Sequence, residues 1–118
     1  MNHFPRGFPR RAEIYIVDFN PARGSEQAGK RPALIVSNDV SNQYSSVVLV
    51  AAITSSIPAK TYPWNVSLAA GQPLPLAGTI YCNQLVTVAK DRLEAHKGAL
   101  AATQMADVDR ALRISLGL

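Results

Sequence analysis

Residues 23–32 read RGSEQAGKRP, and they separate two apolar runs with the composition of β-strands, IYIV at residues 14–17 and ALIV at residues 33–36. Within ten positions the stretch holds three cations, a carboxylate, a serine, a glutamine and two glycines. Connections in compact domains are usually short, and longer ones are often functional. Cations attract phosphates, amides and hydroxyls reach bases or sugars, and glycines allow close approach of the backbone. The stretch therefore favours a strand–loop–strand unit whose loop binds an anionic polymer.

Outward from this loop, the pattern predicts a small, mostly antiparallel β domain. EIYIVD at residues 13–18 is a first strand, and Pro32 opens the second, since proline is tolerated at a strand start. VVLVAAI at residues 47–53 is continuously apolar and largely β-branched, which predicts a central strand buried on both faces. Further strands are expected at residues 62–68 and 78–88.

Two short segments and one long one complete the predicted secondary structure. Residues 38–42 have the composition of a turn, and residues 90–95 are expected to form one helical turn. Thr103 is predicted to cap a C-terminal helix that ends at Gly117. The core-facing stripe of that helix repeats at spacings of three and four, through Met105, Val108, Ala111, Leu112 and Leu116.

Length and charge bound the class of protein. The chain has 118 residues, 47% of them hydrophobic, which fits one domain with one core. Only 17% are charged, and a surface short of charge is typical of a chain that binds a partner or forms oligomers. The net charge is +4, and the first 31 residues hold six of the twelve Lys and Arg against three of the eight acids. This local excess favours a polyanion or an acidic protein partner, although an ordinary solvated basic face stays open.

Several classes are disfavoured by the same sequence. A single cysteine, Cys82, excludes an internal disulfide, fits a reducing cytosol and is expected to be a buried, inert thiol. No Cys/His cluster offers zinc ligands, so neither metal nor cofactor is expected. No apolar run is long enough to cross a bilayer, and no signal peptide is visible, so a cytoplasmic location is expected. Residues 1–10 are expected to be a flexible basic arm, which either tracks phosphates or is simply disordered.

Taken together, these motifs resemble the MazF/PemK toxins, the endoribonucleases of type II toxin–antitoxin systems. The resemblance covers residues 11–118 as a single domain. It is carried in order by GSEQAGKRP, by LIVSND at residues 34–39, by VAAIT at residues 50–54, by Gln84, and by ALRISLGL at residues 111–118. It implies an SH3-like β-barrel of the CcdB/PemK type with a C-terminal helix. Two departures stand out: relatives commonly have Gly-Asp where this chain has Ala12-Glu13, and residues 59–75 are proline-rich and do not follow the pattern.

The resemblance also assigns catalytic roles. Arg31 corresponds to a catalytic arginine, and its guanidinium suits a phosphorane because it forks onto two oxygens and stays charged. Thr54 corresponds to a catalytic threonine that contacts the scissile phosphate, whereas from the residues alone a local backbone bond is the simpler interpretation. Glu26 corresponds to an acidic residue required in some relatives, and pairing with Lys30 or Arg31 is equally open.

RNA binding is expected from a second group of polar residues. Bases in single strands are read on their exposed edges, for which hydroxyl and amide side chains are suited. The candidates in or near the predicted groove are Ser25, Gln27, Lys30, Ser55 and Gln84. For Gln84, a buried amide that satisfies backbone groups is the competing interpretation.

The resemblance finally implies an activity and partners. It implies a metal-independent, sequence-specific endoribonuclease that cleaves single-stranded RNA or mRNA and leaves 2′,3′-cyclic phosphate and 5′-hydroxyl ends. It further implies a homodimer and a MazE-like antitoxin that occupies the RNA groove. A CcdB-like gyrase-binding toxin is the alternative of the same fold, but such proteins end in a Trp-Gly-Ile type sequence, and this chain ends Leu116-Gly117-Leu118. A non-catalytic SH3-like module is the third hypothesis.

Overall fold

A computed structural model describes residues 3–19 and 29–118 of the chain. These residues form six strands and two helices, with one turn of 3-10 helix at Lys90–Arg92 before the last strand. In chain order the elements are β1 (Glu13–Asp18), β2 (Lys30–Ile35), α1 (Asp39–Tyr44), β3 (Val47–Thr54), β4 (Asn65–Leu68), β5 (Gly78–Ala89), β6 (Leu93–Ala99) and α2 (Ala102–Leu116).

All six strands belong to one antiparallel sheet, in the order β4-β5-β3-β2-β1-β6. The predicted class, mainly β with a C-terminal helix, is confirmed. Strand β3 lies between β5 and β2, as its continuous apolar run predicted. Among the described strands, β4 pairs only with β5 and β6 pairs only with β1. The sheet therefore has two edges, and the strand pairing does not close into the expected barrel.

The sheet buries both of its faces because its strands alternate between two apolar clusters. Ile14 and Leu34 belong to the first cluster, against which α2 packs through Met105, Val108 and Ala111. Tyr15 follows Ile14 directly, and Val17 lies two residues further on. Both belong to the second cluster, on the other face of the sheet. Side chains of successive strand residues point to opposite faces, so the near-continuous apolar runs supply both clusters.

Helix α2 begins and ends at well-defined positions. The predicted cap at Thr103 is wrong: Ala101 is the N-cap, and its N–H donates to Oε1 of Gln104 at 2.7 Å. The predicted end is confirmed, because Gly117 adopts a left-handed φ of 73° and the next N–H, of Leu118, donates to the carbonyl of Arg113 at 2.8 Å.

The predicted stripe of α2 is correct except at its last member. Met105, Val108 and Ala111 are buried and Leu112 is half-buried, but Leu116 is 56% exposed. At about 3.6 residues per turn, the centre of the stripe in the last turn falls on Ser115, and Leu116 lies at its edge.

Two segments differ from the expectation. Residues 38–42 are not a turn, because Asn38 caps helix α1 and its side chain accepts the N–H of Ser41 at 2.8 Å. Residues 90–95 form a single 3-10 turn only as far as Arg92, after which β6 begins at Leu93. The strand expected at residues 62–68 is shorter and starts at Asn65.

The segment before β1 contacts the sheet and both helices. The ring of Phe4 meets that of Tyr15 edge-on, with centroids 5.7 Å apart. Arg11 donates from its backbone N–H to Asp39 at 2.7 Å, from Nε to the carbonyl of Val36 at 2.9 Å, and from its guanidinium to Asp109 at 2.7 Å. These contacts describe one arrangement of the segment, and its flexibility stays a prediction.

Candidate active site

The start of β2 and the end of β3 bring the two predicted catalytic side chains to the same place. Strand β2 pairs with β3 in a register that sets Ala33 opposite Ala52. Continuing this antiparallel register by two residues on each strand sets Arg31 opposite Thr54. Arg31 is exposed and Thr54 is half-buried, so both can reach a ligand.

Arg31 and Thr54 line one cleft with a volume of about 470 Å³. Most of its surface is apolar, contributed by β1, β2, β3 and the segment that precedes β5. Among the described residues, its polar side chains come from four, Arg31, Thr54, Ser55 and Lys97. Among the described lining residues there is no carboxylate, so the cleft combines positive charge with an apolar wall. Such a wall suits the faces of bases and the cations suit phosphate.

The Thr54 hydroxyl is held by its own strand end. Its Oγ1 accepts the backbone N–H of Ser56 at 3.1 Å and lies 2.7 Å from the Ser56 hydroxyl. This is the local backbone bond expected of a strand-end threonine. It does not occupy the whole hydroxyl, because the O–H proton can rotate away from Ser56 toward a ligand while the bond from the Ser56 N–H fixes the oxygen.

The remaining candidates are divided between the cleft and its surroundings. Ser55 lines the cleft. Lys30 is exposed and pairs with Glu94, Nζ to Oε2 at 3.2 Å, outside the cleft lining. Gln84 lies in a bulge of β5 between Tyr81, opposite Ala52, and Leu85, opposite Ala51, and it is also outside the cleft lining. Its side chain is exposed, so a buried amide is not observed.

Three predicted residues, Ser25, Glu26 and Gln27, lie outside the described residues. The chain enters that stretch after Phe19 and leaves it at Gly29, whose carbonyl accepts the N–H of Phe19 at 3.0 Å. The ends of the stretch are therefore adjacent at the start of β2, two residues before Arg31. The roles of these three residues stay predictions.

Sequence reasoning missed three contributors to this site. Lys97 lies on β6, which was expected to be partly helical. Ser56 follows the recognised VAAIT motif and carries no signal of its own. The third is residues 74–77, which form one wall of the cleft just before β5 and for which the sequence predicts neither a strand nor a helix. Only a strand assignment for β6, with its pairing to β1, could have indicated Lys97.

Within the described residues, two groups have perturbed pKa values, and neither lines the cleft. Burial raises the pKa of the Cys82 thiol to about 11. Burial raises the pKa of Tyr15 as well, assisted by the hydrogen bond of 3.0 Å that its hydroxyl donates to Glu13. A protonated, fully buried thiol is a poor nucleophile, so the expected inert role of Cys82 agrees with its surroundings. Within residues 3–19 and 29–118, no group of three or more His, Cys, Asp or Glu is arranged to hold a metal ion.

Comparison with known proteins gives a consistent family. A model of the PemK-like, MazF-like toxins of type II toxin–antitoxin systems matches residues 10–116. Endoribonuclease MazF of Staphylococcus epidermidis is 41% identical over 110 residues, which make up 92% of this chain and 92% of that protein. The chain belongs to the PemK-like, MazF-like toxin family.

Solved structures agree with the fold. An endoribonuclease from a mycobacterial species, in complex with its cognate antitoxin, has a TM-score of 0.80 at 28% identity and covers 93% of this chain and 96% of its own. MazF from Deinococcus radiodurans has a TM-score of 0.79 at 27% identity, with coverage of 94% and 98%. The expected family, and with it the expected enzyme class, are confirmed. None of the described helices is long and apolar enough to span a membrane.

Proposed function

We propose that the protein is the toxin of a type II toxin–antitoxin system and cleaves single-stranded RNA at a short sequence without a metal ion. The observation that carries the proposal is the meeting of Arg31 and Thr54 in one cleft that is positively charged and has an apolar wall. The family supplies the reaction, since the relatives at 41% and 28% identity are named endoribonucleases.

The proposed reaction uses the RNA's own 2′-hydroxyl as the nucleophile. Its oxygen loses a proton and attacks the adjacent phosphorus, and the bond from phosphorus to the 5′-oxygen breaks. The 5′-oxygen takes up a proton and leaves as a 5′-hydroxyl, so the other fragment ends in a 2′,3′-cyclic phosphate. Catalysis then requires a proton acceptor, a proton donor and a group that stabilises charge on the phosphorane.

Arg31 and Thr54 fit two of these requirements. The guanidinium of Arg31 presents parallel N–H donors to two phosphate oxygens, and we also assign it the role of proton donor to the leaving oxygen. All of its polar hydrogens are donors and it has no acceptor site, so it is a poor proton acceptor. The Thr54 hydroxyl, fixed by Ser56, donates to a non-bridging oxygen. We assign the acceptor role to the carboxylate of Glu26, in the stretch that leads into β2.

RNA recognition is assigned to the polar residues around the cleft. Ser55 lines it, and Ser25 and Gln27 belong to the stretch of sequence that precedes β2. Lys30 can exchange its exposed partner Glu94 for a phosphate, because exposed ion pairs are worth only about 0–1 kcal/mol. The amide of Gln84 is exposed and suits the edge of a base.

Two protein partners are proposed, an antitoxin and a second copy of the chain. A MazE-like antitoxin would inhibit the toxin by placing an acidic segment in the cleft, where it contacts the cations that hold RNA. The mycobacterial endoribonuclease at 28% identity was solved in complex with its cognate antitoxin. A homodimer would cover exposed apolar side chains such as Val40 and Tyr44, which are 71% and 79% exposed.

Incubation of the purified protein with a long single-stranded RNA in EDTA tests the proposal. We expect discrete cuts at one short sequence, mapped by primer extension, with 5′-hydroxyl ends that accept phosphate from a polynucleotide kinase without prior phosphatase treatment. A folded protein that cuts no RNA in EDTA or in magnesium would contradict it. Inhibition of gyrase supercoiling in that case would indicate the gyrase-binding alternative.

A further inference from the structure

Lys97 is placed by an irregularity in the sheet. In the pairing of β1 with β6, Ile14 lies opposite Gly98 and Tyr15 lies opposite His96. Lys97 is therefore the extra residue of a β-bulge. Bulges break the alternation of a strand and redirect a side chain, and they are common next to functional sites. Here the redirected side chain lines the same cleft as Arg31 and Thr54.

The bulge also supports the wall of the cleft. Gly98 has a φ of 118°, and a Cβ at this position would lie 3.0 Å from the Cβ and Cγ of Pro73. The segment that contains Pro73 thus packs directly on the bulge and continues into residues 74–78 of the cleft wall. Nε2 of Gln104 donates to the carbonyl of Gln72 at 3.0 Å and ties the same segment to α2. The backbone next to Lys97 therefore packs against the segment that leads into the cleft wall.

The charge of Lys97 has no partner within the described part of the chain. Lys30 pairs with Glu94, and Nζ of Lys90 donates to the carbonyl of Gln43 at 3.3 Å. For Lys97 the described residues offer neither an ion pair nor a hydrogen bond, and the cleft that it lines holds no carboxylate among them. An exposed ammonium beside a second cation, in a cleft without described acids, is suited to a polyanion that carries several charges.

We propose that Lys97 binds a backbone phosphate of the RNA next to the scissile phosphate held by Arg31. This inference rests on the proposed function. Lys97 takes no part in the chemical step: its charge holds the strand across the cleft, so that the ribose and phosphorus at the cut site reach Arg31 and Thr54. It is a sequence-independent contact, since a phosphate is the same at every nucleotide.

The test is the salt dependence of RNA binding. The probe is a fluorescein-labelled oligonucleotide that carries the wild-type cut site and a 2′-O-methyl group on the ribose that supplies the nucleophile. Its Kd is measured by anisotropy at several KCl concentrations. Each phosphate contact to a single strand contributes about 0.7 to the slope of log K against log salt concentration. We expect Lys97→Ala to lower that slope by about 0.7, and Lys97→Arg to retain it.

Two controls separate this role from others. Lys60→Ala removes an exposed lysine outside the cleft lining and should keep the wild-type slope. Lys97→Met retains most of the aliphatic stem, so a packing role predicts wild-type binding for it, whereas a phosphate contact predicts the slope of Lys97→Ala. In cleavage assays with the unmodified RNA, Lys97→Ala should raise KM several-fold and leave kcat within about twofold of wild type.

Failure of this inference is distinguishable from failure of the proposed function. If the wild type cuts RNA and Lys97→Ala shows the wild-type Kd and salt slope, the inference is wrong and the proposed function stands. If Lys97→Met binds like wild type while Lys97→Ala does not, packing and not charge explains the residue. If the wild type neither binds nor cuts RNA, both proposals are contradicted.

Discussion

Ala12 adopts a backbone conformation that L-residues rarely take. Its φ is 82°, and it is the only residue other than glycine with a positive φ in the described part of the chain. Two hydrogen bonds hold it there: its N–H donates to the carbonyl of Ile35 at 3.0 Å, and its carbonyl accepts the N–H of Leu100 at 2.9 Å. The MazF/PemK pattern commonly has glycine here, and the observed φ gives the physical reason.

Ala12→Gly should therefore stabilise the protein. The left-handed conformation costs an L-residue about 1–2 kcal/mol, and glycine loses about 0.5–1 kcal/mol more in chain entropy on folding. We expect a net gain of about 0.5–1 kcal/mol in the free energy of unfolding, measured by urea denaturation. Ala99→Gly in strand β6, where φ is not positive, is the matched control and should destabilise. An equal loss in both variants would show that Ala12 is not strained.

Cys82 makes stability depend on pH in the alkaline range. Burial raises its pKa to about 11 in the folded state, so the folded protein keeps a proton that the unfolded chain releases. The resulting stability is fully present below the unfolded pKa and is lost as pH rises toward about 11. We expect the free energy of unfolding to fall between pH 9 and pH 11, and to fall less steeply in Cys82→Ala.

The measurement is a series of urea denaturations across that pH range. One proton corresponds to a slope of at most about 1.4 kcal/mol per pH unit, which is the largest difference expected between wild type and Cys82→Ala. Tyr15, whose pKa is also raised, adds to the loss in both proteins at the upper end. If the free energy of unfolding had the same slope against pH in wild type and Cys82→Ala, burial would not raise the pKa of the thiol in the folded protein.

At the level of single residues, the sequence was informative where a residue belongs to a motif on a strand end. Arg31 and Thr54 were expected from the resemblance, and their meeting follows because β2 and β3 are recognisable apolar runs whose antiparallel pairing brings these ends together. Ser56 and Lys97 could not be assigned. The first acts through a local hydrogen bond, and the second depends on a bulge that only the pairing of β1 with β6 creates.

The first residue of β5, Gly78, lines the cleft and contacts the end of β3, so it controls the shape of the cleft at that point. Strand β5 pairs with both β3 and β4, with Thr79 opposite Thr54 and Gly78 opposite Leu68. A Cβ at Gly78 would lie 2.5 Å from the backbone carbonyl oxygen of Thr54. Because that atom is backbone and not the end of a flexible side chain, a larger residue must displace the end of β3.

Gly78→Ala should consequently affect both stability and the cleft. We expect a loss of about 1–3 kcal/mol in the free energy of unfolding, as for other overpacked sites. If the proposed function is correct, RNA cleavage should fall as well, because Thr54 moves with its carbonyl. Ser67→Ala, on the exposed side of β4, is the control and should change little. Wild-type stability in Gly78→Ala would contradict this account of the strand contact.

Element types were predictable where the apolar pattern is strong and failed where it is weak. Strand β3 follows from its unbroken apolar run. Strand β6 reads LEAHKGA, a composition rich in helix-forming residues, and its pairing with β1 overrides that preference. The pattern at helix α1 predicts a turn because Asn and Asp occur both in turns and at helix starts. The helix is favoured here by the buried side chain of Asn42, whose Nδ2 donates to the carbonyl of Ser37 at 2.8 Å.

At the scale of the whole molecule, charge and apolar surface are distributed unevenly. Of the described basic residues among the first 31, Arg31 lines the cleft and Lys30 precedes it at the start of β2. Exposed apolar side chains occur on α1 and at the end of α2, where Leu118 is 87% exposed. A chain of this composition fits the proposed pair of interactions, one with an anionic strand at the cleft and one with a second copy through apolar surface.

The central claim is that Arg31 and Thr54 act together in one site on RNA. Its most direct test is single-turnover cleavage, in EDTA, of a fluorescent RNA that carries the mapped cut site. The proteins compared are wild type, Arg31→Ala, Thr54→Val and a control, Arg110→Ala, on the exposed face of α2. We predict that Arg31→Ala loses at least about 10³-fold in rate and Thr54→Val about 10–100-fold, with circular dichroism spectra unchanged, because each removes a donor to the phosphorane. Arg110→Ala should cut at the wild-type rate. Wild-type cleavage by Arg31→Ala would contradict the account.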